Sequence, residues 1–157
     1  MDQGTQQHKN ISENRQAHHN YHLLERWEAG IALTGGEVKS LREGQVQLKD
    51  SYGLLRDGQL WLLNCHISPY KNAGYTLHDP DRTRRLLLHR AELSKLEGKV
   101  REKGLTLIPL RLYWKNGHVK LELALAKGKQ LYDKRATERK REAEATARQA
   151  MKERLRR

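Results

Sequence analysis

The segment Leu107–Leu125, LIPLRLYWKNGHVKLELAL, decides the fold, because two alternating apolar runs flank the dipeptide Asn116-Gly117. Asn-Gly favours the positive φ angles of a type I′ turn, whose twist matches that of the adjoining strands, so the segment predicts an antiparallel hairpin. Alternation predicts a core-facing set of Leu110, Leu112, Trp114, Val119, Leu121, Leu123 and Leu125. The outward set is then Arg111, Tyr113, Lys115, Lys120 and Glu122.

A second hairpin is predicted over Val46–Ile67, VQLKDSYGLLRDGQLWLLNCHI, where Asp57-Gly58 lies between two apolar runs. Asp-Gly favours the same type of turn. Upstream, His19–Leu33 is rich in aliphatic and aromatic residues and contains no breaker before Gly30. That segment predicts a long, bent strand.

Two short helices are predicted between the strands. Thr34 and Glu37 have the spacing of a capping box, and Gly44 provides a stop signal for the helix that they begin. The second helix follows a polar loop and ends before Gly104. Its apolar residues recur at helical spacing and are Leu93, Leu96 and Val100.

Five or six strands, two short helices and a terminal tail predict a mainly β fold. Several hairpins in a small antiparallel sheet without an uncovered edge indicate a closed barrel, of which the OB-type fold is the simplest. Residues 1–13 are polar and patternless and are expected to form a disordered arm. We expect the barrel to span residues 14–130 and the tail to span residues 131–157.

The tail has high helix propensity, because Ala, Glu, Lys and Arg dominate it and proline is absent. Its apolar line is thin, so the helix has little surface to bury and is marginal in isolation. We expect the tail to be disordered or helical depending on its partner. The apolar line consists of Ala143, Ala147, Met151 and Leu155.

The formal charge is +12, and the chain from Lys127 onward contributes +7 of it, with twelve Lys or Arg against five Asp or Glu. Both parts are therefore basic, which predicts a polyanionic partner, most simply RNA. No run is long and apolar enough for a membrane span, and no basic helix has a broad apolar face. The basic candidates for RNA contact are Lys39, Arg42, Arg82, Arg84, Arg85, Arg111 beside Tyr113, Lys120, Lys127 and Lys129.

The sequence lacks the common catalytic motifs, including GxSxG, GxxxxGK[ST] and GxGxxG. His19 beside Glu28, or His118 at a turn, leaves a His-dependent nuclease open as an alternative. Cys65 lies in an apolar run and is interpreted as a buried small residue. We expect no enzyme activity, no cofactor, no metal site and no small-molecule substrate. The N-terminus has no signal-peptide core, which predicts a cytoplasmic protein.

Several stretches resemble the SsrA-binding protein family, also called small protein B, whose partner is transfer-messenger RNA. They include NRQAHHNY, EAGIALTGGEVKSLREG, DPDRTRRLLLHRAEL and LYWKNGHVKLELALAKGKQLYDKR, collinear from Asn14 to Arg157. The resemblance implies an OB-type barrel that binds the tRNA-like end of this RNA and delivers it to stalled ribosomes. It also implies a tail that enters the empty messenger channel of the small subunit, against its rRNA, and becomes helical there.

The resemblance assigns RNA binding to Asn14, Glu28 and Leu87, and places His19 and Tyr21 on the same surface. Lys127 and Lys129 flank a glycine at the end of the barrel and are expected to contact phosphate. The tail positions expected to contact the ribosome are Tyr132, Asp133, Lys134, Arg135, Arg139, Lys140, Met151 and Lys152. Tyr132 stands where many relatives carry histidine, and Ala143 stands where a tryptophan can occur.

The residues leave some alternatives open. A carboxylate such as Glu28 can accept hydrogen bonds from base amino groups or a 2′-hydroxyl, yet it could instead be a structural partner of Arg26 or Lys39. A leucine such as Leu87 is more often a core residue, and its RNA role rests on the resemblance alone. A structural ribosomal protein with an OB body is the runner-up function, and we expect a monomer in either case.

Overall fold

The computed structural model describes residues 9–70, 79–101 and 104–156. These residues form nine strands and four helices. The strands are β1 (Lys9–Glu13), β2 (Tyr21–Ile31), β3 (Val46–Gln47), β4 (Tyr52–Arg56), β5 (Gln59–Leu63), β6 (His66–Ile67), β7 (Arg84–Leu87), β8 (Leu105–Lys115) and β9 (His118–Gly128). The helices are α1 (Gln16–Asn20), α2 (Gly35–Arg42), α3 (Arg90–Val100) and α4 (Leu131–Leu155).

Six antiparallel strands close into a barrel. The sheet runs β1-β8-β4-β5-β7-β2-β9, and β9 pairs again with β8, which completes the ring. β1 is a seventh strand that pairs with the distal half of β8, while β3 and β6 form a separate two-stranded ladder. Ring closure gives each of the six barrel strands two neighbours, and the architecture confirms the predicted mainly β, OB-type barrel.

Both predicted hairpins are confirmed. Asp57 and Gly58 have φ angles of 53° and 71° between β4 and β5, and Asn116 and Gly117 have φ angles of 50° and 77° between β8 and β9. Two successive positive φ angles define the type I′ turn. The second turn joins β8 and β9, two strands of 11 residues that pair along nearly their whole length.

The two predicted short helices are also confirmed. In α2 the Thr34 backbone N–H donates to Glu37 Oε1 at 2.9 Å, and the Glu37 N–H donates to Thr34 Oγ1 at 3.3 Å, which completes the capping box. The positive φ of Gly44 follows the helix end. In α3, Leu96 is fully buried against the barrel.

The main core fills the barrel and contains nearly all of the residues predicted to face inward on β8 and β9. Leu110 is the exception. A register shift between Pro109 and Arg111 inserts an extra residue into β8, so Leu110 faces outward and packs with Ala17 and Ile108 in a second cluster under α1. The inward assignment of Leu110 was wrong because a bulge reverses the alternation.

The N-terminal region differs from the prediction. Lys9–Glu13 pairs with β8 instead of belonging to a disordered arm, and the rest of that predicted arm lies outside the described residues. His18 and His19 lie in α1, so the strand predicted from His19 begins at Tyr21. The predicted bend is present as a register shift between Leu23 and Glu25. Within the part of the chain described, no helix is long and apolar enough to cross a membrane.

Candidate nucleic-acid interface

Glu28 presents a carboxylate on the outer face of β2, where its side chain is 38% exposed. The Tyr113 hydroxyl donates to Glu28 Oε2 at 2.5 Å, and Lys115 Nζ donates to Oε1 at 3.0 Å. Both donors come from β8, across the intervening strand β9. Arg26 and Lys39, the structural partners considered from the sequence, are not the groups that the structure places on Glu28.

The surroundings keep Glu28 ionised. Partial burial acts to raise the pKa of its carboxyl, but hydrogen bonds from Tyr113 and Lys115, with the charge of Lys120, bring that pKa below its ordinary value of 4.5. Burial and the same hydrogen bond raise the pKa of Tyr113. At neutral pH Glu28 is therefore an oriented anion that can accept hydrogen bonds from a ligand.

A second carboxylate organises the neighbouring strands. Glu122 of β9 accepts from Arg26 at 3.1 Å and from Arg111 at 3.0 Å, and Arg111 also donates to Asn10 Oδ1 at 2.9 Å. The Arg111 guanidinium lies 4.4 Å from the centre of the Tyr113 ring. Tyr113 is only 2% exposed, so it is not the open stacking surface that its outward position suggested.

Leu87 lies beside Glu28 and is 48% exposed, so it is a surface residue and not a core residue. The two residues share a groove of about 460 Å³ between β2, β7 and the start of α3. Lys120 brings a cation to the same groove, and His89 and Glu92 complete its polar rim. An apolar floor, an acceptor and a cation are a combination that fits one nucleotide.

Arg84 does not reach this surface. Its side chain is fully buried, and its Nε pairs with Glu37 of α2 while its other nitrogens donate to the carbonyls of Cys65, Arg82 and Pro80. The expectation that Arg84 contacts RNA is corrected, because its buried guanidinium binds Glu37 and thereby joins α2 to β7. Arg82 pairs with the same carboxylate at 2.6 Å, and these contacts lower the pKa of Glu37 to about 2 despite its burial.

Asn14 and Tyr21 flank α1 on another side of the barrel. Asn14 is 8% exposed, and its Nδ2 donates to the Pro109 carbonyl at 3.0 Å while its backbone N–H donates to Leu110 O at 2.7 Å. Asn14 therefore pins the end of β1 to the bulge in β8. It also lines two grooves of about 570 and 560 Å³, and Tyr21 lines the larger one.

His19 is brought to the tail and not to Glu28. Its Nε2 lies 2.7 Å from Glu138 Oε1 of α4, and His22 Nε2 lies 3.3 Å from Asp133 Oδ2. Lys129 donates to the His18 carbonyl at 2.9 Å and to Thr137 Oγ1 at 2.7 Å. These polar contacts fix the direction in which α4 leaves the barrel.

Apart from these contacts α4 is open to solvent, and none of its 25 residues is buried. Tyr132 is 70% exposed and Met151 is 68% exposed, which makes both available to a partner. Asp133 and Lys134 are partly covered at the start of the helix, whereas the remaining expected tail positions are exposed, namely Arg135, Arg139, Lys140 and Lys152.

The remaining basic candidates are dispersed. Lys39 and Arg42 are exposed on α2, with Lys39 Nζ 5.5 Å from the centre of the Tyr70 ring, and Lys127 is exposed near the end of β9. Lys39, Arg42 and Lys127 do not line the Glu28 groove. Sequence reasoning missed Lys115 as a partner of Glu28, although its place next to the Asn116-Gly117 turn fixes its side on β8.

The residues considered for acid–base chemistry are separated, since His19 and Glu28 have different partners and His118 is exposed at the start of β9. Cys65 is buried, and burial raises the pKa of its thiol to about 11. Within residues 9–70, 79–101 and 104–156, the structure shows no cluster of three or more His, Cys, Asp or Glu that could hold a metal ion.

A closed OB-type barrel with a basic surface, an oriented acceptor groove and a projecting cationic helix defines the class of OB-fold nucleic-acid-binding proteins. Comparison with known proteins then identifies the family. The family model described as SmpB protein matches residues 11–153, and the chain belongs to the SmpB protein family.

Individual relatives agree with this assignment. The SsrA-binding protein of Trichodesmium erythraeum (strain IMS101) is 56% identical over 146 residues, covering 92% of this chain and 94% of the relative. That of Trichormus variabilis (strain ATCC 29413 / PCC 7937) is 54% identical and covers 97% of this chain and 99% of the relative. A solved structure described as "tmRNA-SmpB: a journey to the center of the bacterial ribosome" contains a 51% identical chain with a TM-score of 0.65, covering 76% of this chain and 85% of that one.

Proposed function

We propose that this chain is the RNA-binding adaptor of trans-translation. In this role it binds the tRNA-like domain of tmRNA and delivers that RNA to stalled ribosomes for rescue. The carrying observation is the family match over residues 11–153, because it spans the barrel and nearly all of α4. The proposed partners place its work in the cytoplasm, and no cofactor or catalytic step is required.

The barrel would bind RNA at the groove shared by Glu28, Leu87 and Lys120. Glu28 is held by Tyr113 and Lys115 with part of its carboxylate open to solvent, so it can accept from a base amino group or a 2′-hydroxyl. Leu87 supplies apolar contact and Lys120 supplies a cation for phosphate. Asn14, His19 and Tyr21 would extend this contact around α1.

Helix α4 would enter the empty messenger channel. It buries none of its own residues, so its order has to be completed by a partner, and rRNA phosphate complements its charge. Exposed cations would contact phosphate, whereas Tyr132 and Met151 offer apolar surface. The polar contacts of His19, His22 and Lys129 attach the first part of the helix to the barrel.

The test separates the two parts of the molecule. Glu28→Gln should weaken binding to an RNA copy of the tRNA-like domain at least tenfold, since a hydrogen bond to a charged group contributes about 1.5–3 kcal/mol. Truncation after Leu131 should leave that affinity within about twofold yet abolish tagging on ribosomes stalled at the end of a truncated message. Glu97→Gln, an exposed carboxylate of α3, serves as the matched control.

Sequencing the RNA that co-purifies with the full chain checks the class of ligand. A single dominant RNA with a tRNA-like end is expected. Stoichiometric presence on every ribosome would instead identify a structural ribosomal protein, and equal loss of RNA binding and rescue on truncation would reject the division into two parts.

A further inference from the structure

The outer face of β4, β5 and β7 carries four large apolar side chains that the core does not use. Trp61, Leu54, Leu63 and Leu87 belong to neither hydrophobic cluster, whereas Trp27 lies in the main core and Trp114 packs against it. Leu54 is 41% exposed and Leu87 is 48% exposed. Trp61 and Leu63 are half-buried, so the four side chains form a partly open apolar face, and large exposed apolar patches commonly mark contact surfaces.

Strand register brings these residues together around the indole of Trp61. Trp61 pairs with Leu54 on β4 and with Arg85 on β7, so it is the centre of a three-stranded row. Leu54, Trp61 and Leu63 line a groove of about 560 Å³ whose rim includes Arg56 and Thr83. The indole of Trp61 therefore has a strand on each side. We call the groove lined by Leu54, Trp61 and Leu63 the platform.

Charge distinguishes the ligands that could occupy this platform. Arg56 and Arg85 are exposed on either side of the tryptophan row, and Asp57, which also lines the groove, lies 4.0 Å from Arg56 at the hairpin tip. An apolar face alone would suit a protein partner. An indole between two guanidinium groups instead suits a nucleobase with its phosphates, since the ring stacks and the cations neutralise the backbone.

Strand β7 links the platform to the groove of Glu28. Arg85 and Leu87 point outward from this short strand, Arg85 pairs with Trp61, and Leu87 lines the groove of Glu28. We infer that the RNA surface continues from Leu87 across Arg85 to Trp61, where an unpaired base of the bound RNA stacks on the indole. The inference rests on the proposed function for the identity of that RNA, but it assigns residues outside the groove described above.

Affinity for the tRNA-like-domain RNA tests the inference with matched variants. Trp61→Ala should lose about tenfold, because base–aromatic stacking contributes about 1–3 kcal/mol per base, and Trp61→Phe should retain most of the affinity. Arg85→Gln should weaken binding and make the salt dependence shallower by about one counterion. Leu24→Ala is the control, since Leu24 is 56% exposed on β2, outside this face and both clusters.

Oxidative footprinting of the tryptophans gives a second readout that does not depend on folding of a variant. In the free, full-length protein Trp61 should react and Trp27 should not, and the RNA should then protect Trp61. Protection of Trp61 without RNA would show that the indole is already covered, and protection only by ribosomal proteins would assign a protein partner. Either result overturns the inference.

The affinities of the variants distinguish a failure of this inference from a failure of the proposed function. If Glu28→Gln loses affinity while Trp61→Ala and Trp61 footprints remain unchanged, the RNA adaptor stands and the stacking surface is rejected. If the unmodified chain shows no affinity for the RNA, the proposed function itself is rejected.

Discussion

The barrel and helix α4 are stabilised by opposite kinds of interaction. The barrel is a closed ring of backbone hydrogen bonds around an apolar core, with a buried Glu37–Arg84 pair joining α2 to β7. Helix α4 has no buried residue and meets the barrel through exposed polar side chains. The barrel is complete without a partner, whereas α4 keeps its surface available for one.

The largest effect on stability is expected when a glutamate of the barrel is replaced by glutamine. The same replacement on α4 serves as the comparison. Glu37→Gln preserves the capping box, because glutamine also caps at that position, but it leaves Arg84 buried without a counter-charge. We expect a loss of about 3–5 kcal/mol in the free energy of unfolding, measured by urea denaturation.

Glu138→Gln on α4 is the control, and it should change the same quantity by less than about 0.5 kcal/mol. Similar losses in the two variants would contradict the contrast, because they would make the contact of α4 as important to the fold as a buried ion pair.

Acid should weaken the barrel through the same carboxylate. The pKa of Glu37 is about 2 in the folded chain and near 4.5 when unfolded, so the unfolded state takes up the proton first. The stability due to this group is complete above pH 4.5 and disappears as the pH falls toward 2, a loss of about 3 kcal/mol. Unfolding of Glu37→Gln over the same pH range should lack that component, and parallel pH profiles would contradict the assignment.

The smallest effect concerns the joint between the two regions. Glu138→Gln removes the carboxylate facing His19, and an exposed pair of this kind contributes about 0.2–1 kcal/mol. Backbone amides in the first turns of α4 should therefore exchange with solvent up to about fivefold faster, while those of β8 and β9 do not change. Glu144→Gln, farther along the helix, should leave the first turns unaffected.

Local signals in the sequence predicted much of the barrel. The two turn dipeptides and the Thr34–Glu37 capping box are formed by neighbours in the chain, so composition and spacing were sufficient to locate them. The bulge at Leu110 was not visible, because it depends on how β8 pairs with β9 and β1. One inserted residue then reversed the predicted face of that leucine.

The candidate site was less predictable, because a basic residue has the same letter whether it is exposed or buried. Arg84 was grouped with surface cations, although alternation along β7 places it on the face of Leu86, a core residue. Glu28 was predicted as a site residue through the family resemblance, but its partners Tyr113 and Lys115 are 85 and 87 residues away in the chain. The RNA-binding role of Glu28 remains a prediction.

The length of α4 has a mechanical consequence. Its 25 residues extend about 37 Å, while its ion pairs with the barrel reach only as far as Glu138. A tilt of about 10° at that attachment would swing the far end through about 6 Å, roughly the length of one helical turn. The molecule is thus built as a lever, in which a small rotation beside the barrel becomes a large displacement at its tip.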